Sequence, residues 1–196
     1  MKTIVSPINS RPDRLPPGQH WTDRLHILDI AGAPFVDLEN YRFKIFGEVE
    51  EKVVLSWDDI ESLEKVELIA DFHCVTRWSC PDVRWIGFHV EEIKKLVKIK
   101  DTAKAVMLHS LDGYTTNVPL EYFFDEDVIF AYFLNGKPLP ADNGYPLRLI
   151  VPKLYAWKSA KFVYGVEFID ENRPGFWEQR GYHLIGDPWK EQRYSY

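Results

Sequence analysis

Asp71-Phe72-His73-Cys74-Val75-Thr76-Arg77-Trp78-Ser79-Cys80-Pro81-Asp82-Val83-Arg84-Trp85 is the stretch from which the rest of the chain is read. Both cysteines, one of the six histidines, two arginines and two tryptophans fall within these fifteen residues. The apolar lead-in of Val66, Leu68, Ile69 and Ala70 predicts a strand that delivers Cys74 into a loop, with Trp78, Pro81 and Trp85 as a rigid, half-buried wall around it. A thiol with Arg77 and His73 beside it in sequence has the means to ionise, and the thiolate is the form that attacks electrophiles and binds metals. Spacing alone favours a blander reading, in which Cys74 is a small buried hydrophobe. Cys74 and Cys80 as a redox pair is a further alternative, although the spacing is not Cys-x-x-Cys. His73, Cys74, Cys80 and His89 lack the paired ligand spacing of a zinc site.

Working outward, 196 residues suffice for one sizeable domain and are short for two. Apolar content of 45% beside 28% charged residues describes a soluble globular chain, and the longest apolar run, Val128 to Leu134, is far too short to span a bilayer. Met1 to Pro7 has no apolar core of the secretory kind, and two cysteines make no disulfide framework, so a cytoplasmic protein is expected. A net charge of -6 argues against a general nucleic-acid binder, because no basic excess exists to neutralise phosphates.

Residues 1 to about 20, with Pro7, Pro12, Pro16, Pro17 and Gly18, are expected to run as an extended arm, and residues 21–196 to form a single domain. Tyr41 to Ile45 alternates apolar and charged side chains, predicting a half-buried strand, and Val53 to Leu55 a second. Ser56-Trp57-Asp58-Asp59 has the spacing of a capping box opening a short helix to about Glu64. Val90, Ile93, Leu96 and Val97 recur at helical spacing, with Glu91 and Lys95 as an i,i+4 pair. Further strands are predicted at 104–110, 128–133, 147–151 and 162–169, and one helical turn at 119–124. The tail from Asp170 carries Phe176, Trp177, Tyr182, Trp189 and Tyr194; a disordered tail would be poor in aromatics, so this one is expected to pack on the domain. Short strands and short helices that do not alternate as βαβ units indicate an α+β fold.

A second feature lies between Asn143 and Val166, where Arg148, Lys153, Lys158 and Lys161 occur with no acidic residue. A solvated face is the ordinary explanation for such a strip. Against it, Arg148 sits inside the apolar run Leu147 to Val151, and Tyr155 and Trp157 stand ready to flank a flat ligand. Guanidinium, ammonium and hydroxyl together are the groups that phosphate recognition uses, so a small bound anion is expected here.

Taken together, the two features resemble a known family. Asp71 to Ser79 is similar to the cysteine segment of the sulfite-oxidase-like, molybdopterin-binding oxidoreductases. Asn143-Gly144-Tyr145-Pro146-Leu147-Arg148-Leu149-Ile150-Val151-Pro152 with Trp157-Lys158-Ser159-Ala160-Lys161 is similar to that family's pterin-phosphate segment. Pro16 to Gln19, Arg173 to Trp177 and Gly186 to Lys190 resemble its small stand-alone cytoplasmic members, so the likeness spans nearly the whole chain in matching order. The resemblance implies a mixed, sulfite-oxidase-type α+β fold holding molybdenum on a molybdopterin (Mo-pterin) cofactor.

By the same resemblance, Cys74 supplies the protein thiolate to molybdenum. Asn143, Arg148, Ser159 and Lys161 bind the pterin and its phosphate, with Lys158 close by, and Ser110, Thr22, His26 and His73 are further candidate contacts. The implied chemistry is oxygen-atom transfer with a two-electron change at the metal. Arg77, three residues after Cys74, is a candidate for holding a small anionic substrate; its alternative is an ion pair with Asp71 or Asp82. Sulfite oxidases proper carry a Cys-Ala-Gly-Asn-Arg type segment where this chain has Cys74-Val75-Thr76-Arg77-Trp78, which argues against sulfite as the substrate. The chain has no Cys-x-x-Cys-His haem attachment sequence, so a separate electron-transfer partner is implied. Two readings from other classes stay open: a metal-free scaffold of the same fold, and a thiol redox protein using Cys74 and Cys80.

Overall fold

Strand β9 (Ile129–Leu134) shows how the molecule is layered. Ile129 and Ala131 face one buried cluster, while Phe130 and Tyr132 face another, so this strand is covered on both sides. Its near-continuous apolar run follows from that double burial. A computed structural model describes residues 1–195 of the chain.

Upstream of β9, in chain order, are β1 (Lys2–Val5), β2 (His20–Trp21), β3 (Phe43–Gly47), β4 (Val53–Leu55), β5 (Lys65–His73), β6 (Trp78–His89), β7 (Ala105–Ser110) and β8 (Thr115–Pro119). Downstream are β10 (Lys137–Pro138), β11 (Arg148–Ile150) and β12 (Val163–Ile169). Three short helices, α1 (Trp57–Ser62), α2 (Glu91–Leu96) and α3 (Leu120–Phe123), complete an α+β fold. The first sheet runs β1-β5-β6-β9-β10, with β2 also on β6 and β11 on β9; the second runs β4-β3-β12-β7-β8. The larger core lies between the sheets, where Phe43, Ile45, Val106, Leu108, Val166 and Phe168 meet Phe88, Phe130 and Leu149. The smaller core lies on the far face of the first sheet, where Leu68, Phe72, Trp85, Ile129 and Ile150 are covered by residues of the N-terminal segment and the C-terminal tail, Ile4, Leu25, Trp177 and Tyr182 among them.

Ser56 accepts from the Asp59 amide (3.2 Å) and the Asp59 carboxylate answers the Ser56 amide (2.8 Å), so the capping box starts α1 as its spacing predicts. On α2 the expected Glu91–Lys95 pair is replaced by two i,i+3 pairs, Lys94–Glu91 at 2.7 Å and Lys95–Glu92 at 2.5 Å, since a helix this short lets both lysines reach back one turn.

The wall expected around the cysteine loop is instead a strand. Trp78 starts β6, which pairs with β5 along nearly its whole length, leaving only a tight turn at Cys74–Arg77. Pro81 is tolerated because the β5–β6 register shifts between Ala70 and Phe72, opening a bulge where a missing N–H is not needed. Asp71, fully buried in that bulge, receives the Arg14 guanidinium on both oxygens at 2.6 and 2.7 Å, and Arg14 also reaches Asp82 at 2.7 Å. The N-terminal segment is thus stitched to the body by this fork and by the parallel pairing of β1 with β5, among other contacts.

Candidate active site

Strand alternation fixes what Cys74 faces. Phe72 and Cys74 point into the smaller core and His73 to the other side, because successive side chains of β5 alternate. Arg77 takes a positive φ of 78° and its amide donates to Cys74 O at 3.0 Å, closing the turn that carries the chain into β6. Two residues far away in sequence hold the turn from outside. Gln19 donates to Cys74 O and Trp78 O, both at 2.9 Å. Arg193 donates to Val75 O at 2.6 Å and to Gln19 Oε1 at 2.9 Å. The Cys74 carbonyl, turn and strand end are therefore fixed from both ends of the chain.

Cys74 Sγ lies 3.1 Å from Thr76 Oγ1 on the wall of a cavity of about 240 Å³. Burial pushes the thiol pKa up, and the Thr76 hydroxyl and the Arg193 charge only partly oppose it. This differs from the expectation that neighbours in sequence would favour the thiolate. His73 turns away, bonded to Ser79 Oγ at 2.8 Å and edge-on to Trp189, and burial depresses its pKa to about 4, so it adds no positive charge near neutral pH.

The opposite end of the same cavity is cationic. Arg148, at the start of β11, is 5% exposed and donates to Asn143 O (2.8 Å) and Ser159 O (3.1 Å), with its guanidinium over the rings of Phe72 and Trp85 at 5.2 and 5.1 Å. Among the described residues no carboxylate pairs with it, and its Nε has no partner. Desolvation alone lowers its pKa to about 9. Lys161 joins it, donating to Asp142 O at 3.0 Å and lying 3.8 Å from Asp29; burial and the Arg148 charge both lower its pKa. Gly144 makes the closure possible. At φ 115° a Cβ there would sit 3.1 Å from both the Arg148 and Lys161 Cβ atoms.

Cys74, Asn143, Arg148, Ser159, Lys161 and His26 share this one cavity. Thr22, His73, Arg77, Ser110 and Lys158 do not lie on its wall. Lys158 is the clearest correction: wholly buried, its ammonium is surrounded by Glu178 Oε1 (2.5 Å), Asn117 O and Oδ1 and Leu184 O, leaving no proton for a ligand. Arg77 is exposed, and the partner foreseen for it is taken, since Arg14 holds both Asp71 and Asp82. Of the strip's remaining member, Lys153 pairs with Asp125 at 2.6 Å. Ser110 is buried with an unpartnered hydroxyl, and Thr22 is held by its amide on Ser79 O.

Trp78 was expected beside the cysteine loop, but sequence reasoning missed the rest of the aromatic wall: Phe72, Tyr114, Trp177 and Tyr182. The packed tail was the available signal. Trp177 and Tyr182 stack at 5.0 Å, and Trp157 meets Tyr182 edge-on at the same distance, bringing the tail over the cavity. Glu178 anchors that arrangement by accepting from Lys158, Thr116 and Trp157 Nε1.

A buried arginine without a counter-charge, a lysine and a single thiol thus share one aromatic cavity. Comparison with known proteins decides the family: residues 30–177 match the family described as the oxidoreductase molybdopterin binding domain. The chain belongs to that family. An uncharacterized oxidoreductase of Bacillus subtilis, YuiH, is 40% identical over 184 residues, covering 93% of both chains. The catalytic subunit of the protein-methionine-sulfoxide reductase MsrP of Campylobacter jejuni is 30% identical, and mitochondrial sulfite oxidase of Macaca fascicularis 26% identical; each match covers 76% of this chain. The chain spans 56% of the first and 33% of the second. In fold it matches the sulfane dehydrogenase SoxCD of Paracoccus pantotrophus, with a TM-score of 0.65 and 21% identity over 76% of this chain and 42% of that one. As a member of the molybdopterin-binding oxidoreductases it has the sulfite-oxidase-type mixed fold. No helix among the described residues is long and apolar enough to cross a membrane.

Proposed function

We propose that the chain binds a molybdenum-molybdopterin cofactor in the cavity between Cys74 and Arg148 and transfers an oxygen atom to or from a small substrate. The observation that carries this reading is Arg148: a buried guanidinium with an unpartnered Nε and no counter-charge among the described residues is a group that a bound anion would stabilise. Arg148, Lys161, Asn143 and Ser159 would hold the pterin and its phosphate, Trp157 would flank the ring system, and the Cys74 thiolate would be the protein ligand to the metal. Among the described residues no three His, Cys, Asp or Glu side chains gather as a metal site, so a single protein thiolate needs a cofactor to supply the other ligands. When bound, the cofactor supplies two-electron chemistry in which oxygen passes between water and substrate.

The chain's own residues set the conditions. The hairpin turn, braced by Gln19 and Arg193, positions the sulfur; the aromatic wall excludes water. Tyr182 lines the cavity, and its phenol is kept protonated by burial and by the field of neighbouring Tyr194 and Cys74. Arg77 is off the wall, and Val75, Thr76, Trp177 and Tyr182 line the cavity with Cys74. That lining favours a neutral sulfoxide over an oxyanion, in line with the methionine-sulfoxide reductase relative. Reduction of a sulfoxide takes two electrons and two protons and yields a thioether and water. The electrons come from a separate protein partner, in keeping with a relative named as a catalytic subunit.

Expression in a pterin-synthesising host tests the reading. Near-stoichiometric molybdenum is expected, with charge-transfer absorption lost in Cys74→Ala and dye-linked turnover on methionine sulfoxide exceeding that on sulfite. Absence of molybdenum from that host's protein would favour the metal-free scaffold. The thiol-redox alternative is opposed by register: Cys80 faces Phe72 across the hairpin while Cys74 bonds to Trp78. Such diagonal positions are about 7–8 Å apart, beyond the usual disulfide Cα separation of roughly 4.4–6.8 Å.

A further inference from the structure

Residues 23–36 form one side of the cavity, through Leu25, His26, Asp29 and Ile30. Among the described residues, however, the backbone of this segment makes no hydrogen bond to any other part of the fold. The last anchoring bond before it runs from Thr22 N to Ser79 O, and the first after it from the Tyr41 hydroxyl to Val163 O. Its own polar contacts are local, Arg24 N to Thr22 Oγ1 and Gly32 N to Asp29 Oδ1. A connection this long without secondary structure is uncommon inside a compact domain and typical of active-site lids. Few backbone bonds also place it at the low end of local stability. Ile27 and Phe35 are left in solvent, the latter 95% exposed, while Leu28 lines the cavity and is still half exposed. What holds the segment down is a set of apolar feet (Leu25, Ile30, Val36), the His26 ring 5.0 Å from that of Trp78, and one charge.

That charge is Asp29. Its Oδ1 closes the turn to Gly32, and its Oδ2 lies 3.8 Å from Lys161 Nζ. Lys161 is one of the two cations at the anion-seeking end of the cavity, so a lid residue occupies the position that an incoming anion would take. We propose that residues 23–36 are a lid latched by Asp29 on Lys161, and that a phosphoryl group arriving at Arg148 and Lys161 displaces the Asp29 carboxylate and frees the lid. Only the identity of the natural anion rests on the function proposed above. The step forms and breaks no covalent bond; two anions compete for one ammonium, inside a cavity where salt screens them little. The latch also gives Lys161, partly buried beside Arg148, a counter-charge.

Limited proteolysis of the cofactor-free, full-length protein tests the latch, because cleavage within a folded chain tracks the population of the locally opened form. Chymotrypsin at Phe35 and trypsin at Arg24 report the lid, with inorganic phosphate compared against chloride at matched ionic strength. In wild-type protein, phosphate should speed cleavage at both sites about fivefold, the scale of one partly exposed ion pair. Asp29→Asn should be cleaved at the elevated rate in chloride and show no further response to phosphate. Cleavage of Asp29→Asn at the wild-type rate in chloride would overturn the latch. Phosphate binding is measured in parallel by equilibrium dialysis on wild type and Lys161→Gln. Binding that depends on Lys161 but leaves lid cleavage unchanged refutes the gate and leaves the anion site standing; absence of saturable, Lys161-dependent binding refutes both.

Discussion

Arg148 is pinned as a two-pronged fork, one terminal nitrogen on Asn143 O and the other on Ser159 O, with Nε left over. A lysine has a point charge and no fork, so Arg148→Lys cannot bridge both carbonyls and also face a ligand. We expect a loss of about 1–3 kcal/mol from at least one buried carbonyl left unsatisfied, together with loss of bound molybdenum. Denaturant unfolding and metal analysis of the same preparation check both. A second expectation concerns His73, which the fold holds neutral. With its pKa at about 4 in the folded chain and near 6.5 when unfolded, the unfolded state binds more protons between those values. Its contribution is complete above pH 6.5 and is lost as pH falls toward 4, by about 2 kcal/mol at pH 5. His73→Gln, which keeps a partner for Ser79, should flatten that part of the stability curve; an unchanged difference between pH 7 and pH 5 would disprove the assignment. These residue-level facts were only half visible in the sequence. The position of Arg148 inside an apolar run marked it, but Lys158, with the same local charge pattern, is taken by Glu178 from the tail, and nothing within reach of Lys158 along the chain announces that partner.

Among the elements, short-range signals were the reliable ones. The capping box of α1, the alternation of β3 and the apolar runs of β9 and β12 all appear where their patterns place them, because each depends on residues within a few positions. The full length of β6 was hidden because Pro81 and Asp82 interrupt its pattern, and the distant Arg14 and Asn9 satisfy the polar groups of that bulge. The parallel pairing of β1 is a contact across more than sixty residues and leaves no local trace. Gly87 shows how tightly β6 and β9 approach: a Cβ there would fall 1.8 Å from Phe130 O and 2.7 Å from Ala131 Cα, both backbone atoms that cannot yield. Gly87→Ala should therefore split the pair at its own bulge and cost more than about 3 kcal/mol, seen as loss of soluble protein or a collapsed unfolding midpoint. Arg193→Ala tests the other side of the frame. It strips donors from Val75 O, Pro17 O and Gln19 Oε1, and should lower stability by about 2–4 kcal/mol. Trypsin cleavage after Arg77 then rises, because the cysteine turn has lost one of its two braces.

At the scale of the whole molecule, the cavity lies where the first sheet, the β7–β8 turn, the 23–36 segment and the C-terminal tail converge, so a ligand bound there touches parts that are far apart along the chain. Filling it should stabilise all of them together by mass action. A cofactor held at about a thousandfold excess over its dissociation constant adds roughly 4 kcal/mol. For a chain of this size each kcal/mol moves the thermal midpoint by about 2–4 °C, so loaded protein should melt about 10 °C above empty protein. Separate variants divide that gain. Cys74→Ala, which removes one sulfur from a packed wall, keeps the cationic end and should retain part of the shift while losing the metal signature. Lys161→Gln keeps the sulfur but halves the cationic end, and should lose more of the shift than Cys74→Ala does. If the two variants lose equal amounts, the phosphate end is not where the binding energy resides; if loaded and empty wild-type protein melt together, the cavity does not bind the cofactor in the folded chain.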